Sequence, residues 1–232
     1  MSERSSIFDM IGPVMIGPSS SHTAGVVRIG RAAVRVLGRD ERGQPHRPER
    51  AEITFYNSFA RTYEGHGSDR AILAGLLDLH TDDGRVRDAP ELARAAGLAW
   101  TFRAVGNAST LHPNTVKVLL TRGDRQVEVT GESRGGGLIN ITRINGFAAG
   151  FSAQMHTLIV FAHDVPGSIA FISSVLAHDE CNIATLNVSR KGKRDLACLC
   201  FEMDSGLRPV VLDYLRALRW VEELNYIPDI DL

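Results

Sequence analysis

Leu158-Ile-Val-Phe-Ala162 is an unbroken apolar run, and Asp164-Val-Pro-Gly167 follows it closely. The run has the length of a buried strand, and the Asp, Pro and Gly after it mark a turn that opens a helix. Ile169, Ile172 and Leu176 then recur at i, i+3 and i+7, an apolar stripe on a helix that runs down by Asn182. Ala184, Leu186 and Val188 alternate with Thr185, Asn187 and Ser189, the period of a half-buried strand. Lys191-Gly-Lys193 closes a hairpin, residues 196–203 return as a strand, Pro209 opens a second helix, and residues 220–227 supply a last strand. The order βαββαβ is that of a ferredoxin-like unit, two helices on one face of a four-stranded antiparallel sheet. Leu196, Cys198 and Cys200 alternate with Leu199, Phe201 and Met203, so neither face of that strand is polar. The face away from the helices needs a cover, expected from a partner subunit or the preceding domain.

Outward from this unit, Gly146, Gly150 and Ser152 mark a boundary between about 146 and 154, giving domains over residues 1–150 and 154–230. The fold class expected is α+β, an N-terminal α/β domain followed by the ferredoxin-like one. The polar stretch Arg42-Gly-Gln-Pro-His-Arg-Pro48 reads as a loop within the first domain. With 232 residues, 44% hydrophobic and 23% charged, the chain has the composition of a globular protein. Its formal charge of -1 offers no field for nucleic acid or an anionic membrane. No run of about 18 apolar residues occurs and the first residues lack a signal pattern, so a cytoplasmic protein is expected. Cys181, Cys198 and Cys200 are odd in number and form no C-x-x-C pair, which argues against a disulfide framework or a self-contained cluster site.

The densest polar motif is Ile16-Gly-Pro-Ser-Ser-Ser-His-Thr-Ala-Gly25. It precedes a helix with Val26, Ile29, Ala33 and Val36 on one face and Arg28, Arg31 and Arg35 on another. Free N–H groups and the positive end of the helix dipole suit a carboxylate or phosphate there. Simple N-capping explains one serine, not Ser19, Ser20, Ser21, His22 and Thr23 together. Tyr63-Glu-Gly-His-Gly-Ser-Asp-Arg70 repeats the arrangement: two glycines present His66, Ser68 can cap, and Ile72, Leu73, Leu76 and Leu77 form the stripe that follows. In Leu111-His-Pro-Asn-Thr115, proline holds His112 extended beside Asn114, an arrangement also found in ordinary turns. Ser133-Arg-Gly-Gly-Gly-Leu138 reads either as an anion cradle or as a hairpin. His22, His66 and His112 suit acid–base work near neutral pH. Zinc is the rival, but no H-x-x-x-H or H-x-H spacing supports a metal, and acid–base and substrate-binding roles are preferred.

These motifs, with Phe8-Asp-Met-Ile-Gly-Pro-Val14 and Ser58-Phe-Ala-Arg-Thr62 beside them, resemble the β subunit of iron–sulfur-dependent L-serine dehydratase over nearly the whole chain. The resemblance implies conversion of L-serine to pyruvate and ammonia, with a [4Fe–4S] cluster ligated mainly by a separate cysteine-containing α subunit. It implies an ACT domain at the C-terminal end, and a first domain similar to the allosteric substrate-binding domain of some D-3-phosphoglycerate dehydrogenases. Carried over by motif, His22, His66 and His112 are the catalytic candidates, and Ser19, Ser20, Ser21, Thr23, Ser68 and Asn114 the substrate-binding ones. Asp164 and Gly167 match the effector loop of ACT domains, which implies self-association. Ser68 stands where Thr is frequent in the family, and Arg134 where an apolar residue often precedes the glycines. A second reading is a regulatory module in which the same pocket senses serine without chemistry.

Overall fold

The computed structural model describes Met15, residues 19–39, 43–106, Ala108, residues 111–228 and Ile230. The motif residues Phe8 to Val14 and Ile16 to Pro18, and Arg42 of the expected loop, lie outside the described residues. The chain divides into two compact units, the described residues up to Asn140 and those from Ile141 onward.

The first unit runs α1 (Ala24–Leu37), β1 (Arg50–Tyr56), α2 (Asn57–Thr62), α3 (Ser68–Leu76), α4 (Ala89–Ala95), β2 (Ala99–Val105), β3 (Thr115–Arg122) and β4 (Arg125–Gly135). β5 (Leu138–Ile144) starts there and ends in the second unit, where it meets β6 (Phe147–Phe151). The strand order is β2-β1-β3-β4-β5-β6. β1 and β2 are parallel, with the helices α2, α3 and α4 in the crossover, and β1–β3 and β3–β4 are antiparallel.

α1 is buried along its whole length, its arginines included. The helical period was legible, but the arginine face does not meet water. Arg31 Nε and Arg35 Nη2 reach Asp78 Oδ1 at 3.0 and 3.1 Å, and Arg28 turns to a backbone carbonyl. A pattern of apolar and charged positions does not distinguish solvent from an internal carboxylate as the partner of a charged stripe.

What sets α1 against α3 is a pair of glycines. A Cβ on Gly75 would stand 2.2 Å from Val27 O and 2.9 Å from Gly30 Cα, and one on Gly30 would stand 2.9 Å from Ile72 O. The two backbones touch, an approach open only to residues without a side chain. The N-terminal ends of these helices carry the first two motifs, so this crossing is part of the site's geometry.

The second unit contains β7 (His156–His163), α5 (Ser168–His178), β8 (Ile183–Arg190), β9 (Leu196–Met203), α6 (Pro209–Arg216) and β10 (Val221–Ile227). Its sheet has the order β10-β7-β9-β8 with every pair antiparallel, so the βαββαβ order read from the periodicities holds. The helix side is a core of Leu158, Val160, Leu199, Phe201 and Met203 with Ile172 and Leu176 of α5 and Leu215 of α6. Ile169, the first member of the α5 stripe, is 42% exposed.

The other face of this sheet is covered by the chain itself. Phe147 of β6 meets Phe161 edge-on at 5.7 Å, Ser189 Oγ donates to Ala148 O at 2.8 Å, and Lys191 Nζ lies 4.7 Å from the Phe147 ring centre. β6 falls inside the first domain as the sequence bounds it, yet packs on the second sheet. The division between units therefore comes earlier than the 146–154 segment.

Glu202 fastens this cover. It is buried, and accepts hydrogen bonds from Ser152 N at 2.8 Å, Ser152 Oγ at 2.6 Å and Thr185 Oγ1 at 2.9 Å. Glu202→Ala leaves those donors without their acceptor, and is expected to lower stability by about 2–3 kcal/mol in urea unfolding, with Glu202→Gln milder.

Candidate functional site

The Ser-Ser-Ser-His-Thr run folds into a turn that leads into α1. Thr23 N donates to Ser19 O at 2.8 Å and Gly25 N to Ser20 O at 2.9 Å, so these two amides are spent on the run itself. Thr23 occupies the N-cap position without a side-chain cap bond, and its Oγ1 is buried without a partner. These two amides are therefore not open to an anion, while the side chains of the run remain as polar groups.

His22 is the hub of those side chains and is 8% exposed. Its Nε2 lies 3.0 Å from Thr62 Oγ1, and Thr62 Oγ1 donates its proton to Ser58 O at 2.9 Å. Towards His22 the hydroxyl can therefore only accept, which places the imidazole proton on Nε2. Nδ1 faces Ser19 Oγ at 3.2 Å and Ser21 Oγ at 3.1 Å and accepts from these hydroxyls. Burial, with a smaller contribution from neighbouring His66, holds the His22 pKa below the usual histidine value of 6.5. The ring is neutral at physiological pH, as its partners require.

This shift has a stability consequence. Above the unfolded value of 6.5 the imidazole is neutral in both states; below it the unfolded chain takes up a proton first. Stability is then lost as pH falls from 6.5 towards the folded pKa. Urea titrations from neutral pH to about pH 5 should show this decline in the wild type, and His22→Asn should remove its share of the slope.

The second motif closes over the first. His66 stands edge-on to His22 with ring centres 4.6 Å apart at 80°, and Phe59 holds the His22 ring at 4.9 Å. Among the described residues no hydrogen bond engages either ring nitrogen of His66, which is exposed. Gly67, not Ser68, is the N-cap of α3, in the left-handed conformation at φ 74. Ser68 is fully buried and donates from Oγ to His22 O at 2.9 Å, so it acts on the site through His22.

The third motif reaches the site through α2. Pro113 O accepts from Ser58 N at 2.9 Å and from Phe59 N at 3.4 Å, which caps α2 with the 111–114 loop. Asn57 clamps that loop, donating to Ala108 O and Leu111 O and accepting from Ala108 N. Asn114 N donates to His112 Nδ1 at 3.2 Å, leaving Nε2 as the other ring nitrogen. Asn57, Ser58, Arg61, Thr62, Gly106, Leu111 and Pro113 line one open cleft of about 700 Å³. Thr62 joins this cleft to His22, and Leu111 and Pro113, the chain neighbours of His112, line it as well.

Three participants carried no role in the sequence reading: Thr62 and Asn57, which bridge the motifs, and Asp69, whose buried Oδ1 lacks a partner and whose carboxyl is pushed upward by burial. A Thr or Asn one helix away from a histidine motif leaves no periodic trace. Arg134 is paired with Glu132 at 2.6 Å and so is not an open cation beside the glycines. In the second unit, Asp164 Oδ2 accepts from Arg194 N at 3.2 Å and Arg190 Nη1 at 2.8 Å, which holds its carboxyl below the usual range. Gly167 caps α5 at φ 86.

The thiols of this chain do not form a cluster-binding set. Cys181 Sγ donates to Ser205 O, and Cys198 and Cys200 lie buried with Sγ atoms 3.7 Å apart. The contact with Cys198, reinforced by burial, raises the Cys200 thiol well above its ordinary value, the opposite of what thiolate ligation needs. Among the described residues no three His, Cys, Asp or Glu side chains group as metal ligands.

The family pattern described as serine dehydratase beta chain matches residues 6–98, the stretch that holds the first two motifs. A probable L-serine dehydratase β chain of Bacillus subtilis is 43% identical over 224 residues, covering 97% of this chain and 98% of that protein. The chain belongs to the L-serine dehydratase β chains. The L-serine dehydratase β chain of Peptoniphilus asaccharolyticus is 36% identical over 203 residues, covering 87% of this chain and 88% of its own length. A D-3-phosphoglycerate dehydrogenase of Bacillus subtilis is 27% identical over 163 residues, 69% of this chain but 29% of that enzyme. A β chain implies an α chain as its partner.

Proposed function

We infer that this β chain completes the site at which L-serine is converted to pyruvate and ammonia, with the cleft beside Thr62 receiving the substrate. The carrying observation is the His22–Thr62 hydrogen bond, which ties the packed His22 and His66 rings to a residue that lines that cleft. In the reaction a base takes the Cα proton, the hydroxyl leaves as water, and the resulting enamine tautomerises to an imine. Water then adds to the imine and ammonia departs. His66 is the group suited to be that base: its ring nitrogens are unengaged and it lies against a neutral neighbour. His22 is a positioning residue, with both nitrogens spoken for, and Ser19, Ser21, Thr62 and Ser68 fix its ring. Ser20, Thr23, Asn114 and His112 complete the polar lining proposed for substrate.

A [4Fe–4S] cluster, in this reading, is held by cysteines of the α chain, and no part of its chemistry is assigned to residues of this chain. Free thiols fit a reducing, cytoplasmic setting, and no described helix is long and apolar enough to cross a membrane. Mixing the two chains anaerobically should give pyruvate from L-serine only when both are present. Full turnover by the α chain alone would instead favour a serine-sensing regulatory module.

The second unit is proposed to be an ACT domain that binds an amino-acid effector near Asp164 and Gly167. Its βαββαβ order and the glycine cap of α5 support this. β8 is an edge strand of its sheet, and Leu186, Val188, Ile169 and Phe171 are exposed large apolar side chains, which supports self-association. Light scattering should report a self-associated chain; a monomer at high concentration contradicts this part of the reading.

A further inference from the structure

Arg28 lies in α1 and is 3% exposed, and it is not among the residues that line the histidine cleft. Its Nη1 donates to Gly137 O at 2.6 Å, whereas Nε and Nη2 are buried without a hydrogen-bond partner. Those two atoms form one edge of the guanidinium, the parallel N–H fork whose spacing matches the two oxygens of a carboxylate. Burial brings the Arg28 pKa down to about 10, so the side chain is still a cation at neutral pH. A buried charge with its best hydrogen-bonding edge unmet is unfavourable, and calls for a counter-charge.

The elements around it suit such a visitor. Gly137, which holds Nη1, ends a turn in which Gly135, Gly136 and Gly137 have φ of 95, 59 and 80, a run without side chains in left-handed conformations open to glycine. A Cβ on Gly135 would meet nothing within 4 Å. Ser133, two residues before the turn, is fully buried and its Oγ has no partner. That hydroxyl is lodged against Gly25, where a Cβ would come within 2.1 Å of it. Gly25 is three residues before Arg28, on the side towards which a helical side chain leans. Thr23 Oγ1, at the N-cap of the same helix, is likewise buried and unpartnered. A fixed cation and unspent hydroxyls thus share the seam between α1 and the β4–β5 turn.

We propose that Arg28 anchors a second carboxylate site of this chain, which takes a small monocarboxylate when the Gly135–Gly137 turn opens. The two carboxylate oxygens sit on the Nε–H and Nη2–H fork, and the unpartnered Ser133 hydroxyl, lodged against Gly25 of the same helix, is a further donor. The site is defined by this chemistry alone and stands whether or not the histidine cleft is the place of catalysis.

Thermal unfolding of the full chain with sodium acetate, against sodium chloride at equal ionic strength, tests it. The wild type should gain about 5–10 °C in Tm at an acetate concentration one hundred times Kd. Arg28→Met, which keeps the volume and removes the fork, should lose the gain, and Arg28→Lys should weaken binding at least about tenfold because it keeps charge without the bidentate edge. Thr62→Trp, which fills the cleft beside His22, should keep the gain, which separates this site from the cleft. Acetamide, which has the shape of acetate without its charge, should give no shift. Should Arg28→Met fail to fold, Arg28→Lys carries the test. The proposal is overturned if acetate does not raise the wild-type Tm above the chloride control, if the Arg28 variants respond as the wild type does, or if the gain disappears in Thr62→Trp.

Discussion

His66→Asn in the enzyme assembled from α and β chains is expected to lower kcat by about 10²–10⁴-fold, with a much smaller change in KM for L-serine. The magnitude is that of a general base, and the split follows from the geometry. The His66 side chain touches His22 but takes no hydrogen bond among the described residues, so its removal breaks no hydrogen bond that shapes the cleft. His22→Ala acts differently. It strips partners from Ser19, Ser21 and Thr62 at once, so kcat and KM should both suffer. A His66 variant whose loss appears chiefly in KM would reassign that residue from proton transfer to substrate binding.

Gly75→Ala is expected to be the most damaging small substitution in the first unit. The added methyl would stand 2.2 Å from Val27 O, and neither contact partner is the flexible end of a side chain, so the helices must separate. Overpacking of this kind costs about 1–3 kcal/mol, and a backbone obstacle puts it at the upper end. Separation also draws Ser68 away from His22 O, so activity should fall further than the unfolded fraction explains. Gly84→Ala is the control. A Cβ there meets nothing within 4 Å and should leave stability and turnover unchanged. Urea unfolding and a turnover assay on the two variants make the comparison; equal stability for both would remove the helix crossing from this account.

Much of the second unit was legible because its strands and helices bury one face at a time. The alternation of Ala184 to Ser189 and the run at Leu158 carry their period in the residues themselves. That the far side of that sheet needs a cover was legible, and the preceding domain was one of two expected sources; which segment supplies it was not, since only tertiary packing assigns β6 to it. At the site, His22 and His66 stood out because glycines and serines crowd them. Thr62 did not, because its meaning lies in a contact across 40 residues of chain. The partner of the arginine face of α1 was not legible for a similar reason: Asp78, which receives two of the arginines, lies in another element's loop. Composition shows that a helix has a charged stripe, and tertiary structure shows what that stripe meets.

Thr62 and Pro113 line one cleft, and Thr62 ties it to His22 and, through that ring, to His66. The most direct measurement is a crystal structure of the α–β enzyme carrying His66→Asn, soaked with L-serine. L-serine should lie against Thr62 and Pro113, with its Cα–H turned towards position 66 and His22 in its present hydrogen bonds. L-serine bound without contact to Thr62, His22 or position 66 would contradict the assignment.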